Sequence, residues 1–133
     1  MMRSGRVQSV MDSESPSALT DGLRTNVGDG LRTVAVGRVP EEEYDVTYMR
    51  SDIDDLYTDE MRENILEEIV LEHIAEARKE GLFPPLGALE YTIRVFEEGI
   101  NLVGWTDETA VFVGLDADPE LIAPAVAACR REL

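Results

Sequence analysis

Residues 88–116, ALEYTIRVFEEGINLVGWTDETAVFVGLD, decide the fold. Three runs within them carry the residue types of β-strands, the first with a clear two-residue period. In the first, Leu89 to Phe96, Tyr91, Ile93 and Val95 alternate with Glu90, Thr92 and Arg94. The second, Ile100 to Thr106, presents Ile100, Leu102, Val103 and Trp105. The third, Thr109 to Leu115, is almost continuously apolar, with β-branched Val111 and Val113. Glu97-Glu98-Gly99 reads as a three-residue hairpin loop with Gly99 at the φ > 0 position, and Thr106-Asp107-Glu108 supplies the second turn. Two tight connections between three strands make an antiparallel meander.

Upstream of the meander lies the longest helical pattern. Thr58 caps it, Asp59 and Glu60 suit the positive end of its dipole, and Gly81 ends it. Ile65, Leu66, Ile69, Val70, His73, Ile74 and Ala77 form its apolar stripe, with Glu63, Glu67, Glu68, Glu72 and Glu76 outward. LFPPLG at residues 82–87 is a stiff apolar linker into the meander. Before the helix, Leu31 to Val39 and Tyr44 to Arg50 alternate as a hairpin pair, with Tyr44, Val46 and Tyr48 expected on one side of the second strand. A short helix precedes them, capped by Ser15 or Ser17, with Leu19, Leu23 and Val27 on one face and Gly28 as its C′ stop. After the meander, Asp118 caps a last helix with Pro119 at N1. Its inner face is Leu121, Ile122, Ala125, Val126 and Cys129, and Pro124 imposes a kink or a short 3₁₀ first turn. The expected organisation is a flexible Ser-rich tail over 1–15 and a single α/β domain over 16–133; Met11 is an alternative start.

Composition sets the habitat. The 133 residues include 44% hydrophobic, enough for one real core. Acidic residues number 28 against 12 basic, a net charge of −16, and Lys79 is the sole lysine. Such a chain suits molar salt, where the Debye length is about 3 Å and self-repulsion is screened. Its charge opposes nucleic acid and anionic membranes as direct partners. The single cysteine, Cys129, forms no internal disulfide and fits a reducing, cytoplasmic setting. No apolar run approaches a membrane span, and the N-terminus lacks the continuous apolar stretch of a signal peptide.

The element order α-β-β-α-β-β-β-α, with a five-stranded antiparallel sheet, resembles the roadblock (dynein light chain) proteins and the wider profilin-like group. The resemblance covers residues 16–133 and implies the sheet order 2-1-5-4-3, with the long helix on one face and the terminal helices on the other. The stretches VGDGLRTVAVG, YDVTYMRSDID and RVFEEGINLVGW are also similar to small acidic uncharacterised proteins of halophilic archaea. That likeness implies cytoplasm and salt and brings no site residues.

No enzyme is expected. His73, the only histidine, has only carboxylates such as Glu76 and Glu80 at helical spacing and reads as a partly buried structural imidazole. Asp52, Asp54, Asp55 and Asp59 form an oxygen-rich cluster without the glycine and terminal glutamate of a calcium loop. Cys129 reads as an inert thiol. No nucleophile elbow or phosphate-binding glycine motif is present, so catalytic, cofactor-binding and metal residues are all expected to be none. The expected function is a non-enzymatic regulatory or scaffold module working through homodimerisation or docking on another protein. Its interface would draw on Tyr91, Ile93, Val95, Val103 and Trp105, with Trp105, Val103 and Tyr91 together on an incompletely covered face. The alternative is a small-molecule sensor with a pocket between sheet and helix, its ligand unknown.

The charge makes one testable statement. Melting temperature should climb steadily from low to molar potassium chloride, because screening relieves repulsion in the compact state; a flat profile refutes salt adaptation.

Overall fold

The computed structural model describes residues 9–38, 41, 43–65, 67, 68, 84–106 and 109–132. Helix α1 spans Ser9–Val27, strand β1 Leu31–Arg38 and strand β2 Glu43–Met49. A single helical turn follows at Ser51–Asp54, and helix α2 opens beyond it, described over 59–65 and at 67 and 68. Strands β3 (Tyr91–Phe96), β4 (Gly99–Thr106) and β5 (Thr109–Leu115) form the meander, and α3 (Ile122–Glu132) ends the described chain. The strands make one five-stranded antiparallel sheet in the order β2-β1-β5-β4-β3. Both the element order and the sheet order are those expected. The stripe of α2 beyond residue 68, with His73, lies outside the described residues.

The helices pack where their patterns direct them. Leu19, Leu23 and Val27 of α1 are buried with Ala125, Ala128 and Cys129 of α3 against Val34, Leu102, Val111, Val113 and Leu115 of the sheet. The Asn26 amide donates to the Pro124 carbonyl at 3.1 Å, tying α1 to α3. Pro124 is the third residue of α3, within the first turn, where a missing N–H costs little. Asp118 caps as expected, accepting from the Glu120 amide at 3.0 Å, and the first turn, Pro119–Leu121, is 3₁₀. Gly28 has φ +73, the left-handed C′ conformation that stops α1. Thr58 caps α2, its hydroxyl accepting from the Met61 amide at 3.1 Å.

Four expectations need correction. Helix α1 begins at Ser9, upstream of Ser15 and Ser17, and takes in residues 9–15 expected as tail; Pro16 forfeits one backbone bond without barring a preceding turn. Gly99 is not the φ > 0 residue of a three-residue loop. It pairs with Phe96 as the first residue of β4, leaving Glu97-Glu98 as a two-residue turn. The acidic loop after β2 contains the helical turn Ser51–Asp54. Finally, two β-bulges reset the faces of the first hairpin. Pairing passes from Val34↔Tyr48 to Ala35↔Val46, so Thr47 is the extra residue of β2. Pairing of β1 with β5 passes from Leu31↔Leu115 to Thr33↔Gly114, so Arg32 is the extra residue of β1. Tyr48 thereby turns towards α1, where Arg24 lies 5.1 Å above its ring, and Met49 joins Tyr44 and Val46 on the other face.

The buried seam between the helices and the sheet predicts a contrast. Leu23→Ala should cost about 2–5 kcal/mol in chemical denaturation, as a cavity in a closed core; Ala127→Ser, on the exposed side of α3, should stay within about 0.5 kcal/mol. Equal losses would mean that the helix phase is wrong.

Candidate functional site

Two features of the sheet can engage another molecule: its β3 edge and the face opposite α1 and α3. The edge follows from hydrogen-bond alternation. The Trp105 amide donates to the Glu90 carbonyl, at 3.4 Å, which marks Glu90 and Trp105 as a bonded pair. In an antiparallel ladder the next bonded positions of β3 are Thr92, Arg94 and Phe96, so the backbone groups of Tyr91, Ile93 and Val95 point outward from the sheet. Their side chains share the α1/α3 face. Tyr91 lies over Gly104, where a Cβ would come within 2.7 Å of the ring carbons, and it packs on the core. Burial pushes its phenol pKa up. Ile93 and Val95 continue outward, 38% and 63% exposed, and Phe96 at the hairpin end is 52% exposed. Leu86 and Leu89, which lead into β3, are exposed too.

The opposite face is hollow along its middle. Thr33 and Gly114, Ala35 and Phe112, and Gly37 and Ala110 are facing pairs of the central strands β1 and β5. Their β2 neighbours are Met49, Val46 and Tyr44. On the other flank β4 sets Asn101 beside Gly114, Val103 beside Phe112 and Trp105 beside Ala110. Small residues in the centre and larger ones at the flanks leave a cavity of about 370 Å³, bordered by Tyr57, Arg62 and Ile65 where α2 begins. Val103 and Trp105 thus lie on this face, and Tyr91 lies on the other. The expected patch joining the three does not form; of the five interface candidates, the edge retains Tyr91, Ile93 and Val95.

Two of the four clustered aspartates are engaged in ion pairs. The Asp52 carboxylate accepts from Arg50 at 2.7 and 3.1 Å, and Asp54 from Arg62 at 2.9 Å. The bonds from Arg50 hold Asp52 below the usual carboxylate range, and Asp116 and Asp52 together raise the Arg50 pKa. Among the described residues no group of three or more His, Cys, Asp or Glu side chains is placed to hold a metal. Cys129 is buried, and desolvation pushes its thiol up to about 11, which disfavours the reactive thiolate. No helix among the described residues is long and apolar enough to cross a membrane. Sequence reasoning missed Arg50 and Arg62; an isolated arginine carries no spacing signal, and only the turn Ser51–Asp54 shows which acids it meets.

Asp52 is depressed, so its share of stability is present above the unfolded carboxylate pKa and is lost as pH falls through the folded value. Arg50→Gln should lower stability by roughly 1–2 kcal/mol near neutral pH in low salt and flatten the acid limb. Arg130→Gln, which breaks only an exposed pair with Glu90, should change it by under about 0.5 kcal/mol. Denaturation at pH 3 to 7 measures both.

Residues 17–133 match the family described as "Domain of unknown function (DUF7522)". No curated protein matches the sequence. Among solved structures, the crystal structure of a Roadblock/LC7 domain from Streptomyces avermitilis is similar, with a TM-score of 0.55 and 10% identity, covering 85% of this chain and 90% of that one. The likeness is one of fold, and the strand order and element order agree with it.

Proposed function

The chain belongs to the DUF7522 family, and from that premise we propose that it is a non-enzymatic regulatory or scaffold module that works by pairing its β3 edge with another chain, first of all a second copy of itself. The observation that carries this reading is the coincidence, on one strand, of outward backbone groups at Tyr91, Ile93 and Val95 with exposed Ile93, Val95 and Phe96. An unprotected edge of this kind is a template for a further strand. Natural edges are blunted by proline, lysine or inward charge, and β3 has only Arg94. Antiparallel self-pairing would extend the sheet across a two-fold axis and cover the apolar side chains in the same step. The roadblock-like fold supports the reading by analogy alone. The −16 net charge supports a salt-rich cytoplasm as the setting, and an archaeal halophile as the source; in such salt the carboxylates of two copies repel little.

Ile93→Pro removes one outward N–H without touching the ladder to β4. In sedimentation at tens of micromolar in molar salt, the wild type should run as a dimer and the variant as a folded monomer with an unchanged circular dichroism spectrum. A monomeric wild type overturns self-pairing; a variant that remains dimeric moves the contact off β3.

A further inference from the structure

We infer that the hollow on the sheet face opposite α1 and α3 is a binding site for a small organic anion with a flat, apolar body, held by Arg62. This site lies on the opposite face from Tyr91, Ile93 and Val95; of β3 only Phe96, at the hairpin end, lines it, and the site does not depend on edge pairing.

Shape is the first ground. The cavity of about 370 Å³ falls within the range of small-molecule sites, roughly 300–1,000 Å³, and is too small for a folded partner. It exists because the central strands contribute Ala35, Gly37, Ala110 and Gly114 where the flanking strand β2 contributes Tyr44 and Met49. Phe112, half-buried in the middle of the floor, offers a ring on which a planar group can stack. The bulge at Thr47 is part of the construction, since it is what turns Met49 into this face.

Charge is the second. The whole chain has 28 acidic residues and 12 basic, yet the described lining carries three arginines, Arg32, Arg38 and Arg62, against two carboxylates, Glu43 and Glu98. Arg32 donates to the Glu98 backbone carbonyl at 2.7 Å and lies 4.0 Å from the nearest Asp116 oxygen, so its charge is only loosely compensated. Arg62 gives one terminal nitrogen to Asp54. Its Nε–H is buried and, among the described residues, has no hydrogen-bond partner. An arginine that borders an apolar floor binds an anionic acceptor more strongly than it would in water. A carboxylate or sulfonate oxygen pairs with Arg62 at the border of the hollow, and the floor takes the rest of the molecule. A neutral ligand satisfies the floor alone.

The test uses two probes with the same body, 1-naphthoate and 1-naphthalenemethanol, titrated into the full chain. It is read by ¹H–¹⁵N correlation spectra that include the Arg62 Nε–H resonance. Saturable one-site binding is expected, with naphthoate at least tenfold tighter than the alcohol and the Arg62 Nε–H resonance shifted by naphthoate. Arg62→Gln should abolish the preference. Asp54→Asn, which breaks only the ion pair of Arg62, should keep it and so separates ligand contact from scaffolding. Gly114→Val, which fills the floor, should weaken both probes at least tenfold while the dispersion of the spectrum shows an intact fold. No saturable shift at millimolar probe, equal affinity for the two probes, or an unchanged preference in folded Arg62→Gln overturns the assignment. Ile93→Pro should leave probe binding unchanged, so this result stands or falls apart from the dimer.

Discussion

One guanidinium closes the end of the sheet at which three strands meet. Arg50 follows β2 and uses all five of its N–H donors. Two reach Asp116 at 2.9 and 3.0 Å, two reach Asp52 at 2.7 and 3.1 Å, and one reaches the Asp29 carbonyl at 2.7 Å. Its own amide donates to the Arg32 carbonyl, and the Asp116 amide donates to the Gly30 carbonyl, both at 2.9 Å. The end of β2, the entry to β1, the exit of β5 and the turn before α2 are therefore held by one planar fork, a geometry that lysine cannot reproduce. Leu31↔Leu115, the first pair of β1 with β5, sits directly inside this clasp. Fixing that pair fixes which residues of β1 face the helices and which face the hollow.

The meander was legible because runs of six to eight residues, alternating in the first and β-branched and apolar in the third, are set between tight turns. The same holds for the face of α1 carrying Leu19, Leu23 and Val27, and for the Asp118–Pro119 cap. What escaped was set by single residues. A bulge inserts one residue without any change in residue type. Thr47 and Arg32 look like ordinary strand positions, yet they move Tyr48, Met49 and Leu31 to the opposite faces from those a strict two-residue period assigns. Gly99 looked like a turn residue because glycine permits φ > 0, but the ladder claimed it first.

The candidate site was legible in outline only. Tyr91, Ile93 and Val95 were recognisable as edge residues once the sheet order was supposed, since the order alone decides which strand lacks a neighbour. Val103 and Trp105 were grouped with them through uncertainty over which side of β4 turns inward; pairing with Phe112 and Ala110 sends both to the far face. The hollow was invisible, because small residues scattered over β1 and β5 have no common pattern until the strands are set side by side. Its arginine was invisible too, since Arg62 lies in the polar first turns of α2 and only the fold brings it to the same hollow as Phe112 and Ala110.

The strand order has a kinetic side. β1 and β5 are neighbours at the centre of the sheet, though most of the chain is made between them. Entropy of closure rises slowly with separation, by about 0.6 kcal/mol for each doubling, so the equilibrium cost of this arrangement is modest. Time is another matter, because pairings remote in sequence must find each other before they are rewarded. While the chain emerges from the ribosome, β1 and β2 can pair with each other, but α1 has no completed floor beneath Leu19 and Leu23. The inner flank of β1 stays open until the last strand arrives. A nascent or truncated chain ending before Thr109 therefore displays an unfinished central seam, and it is there that chaperones would find it and that mispairing between chains would begin.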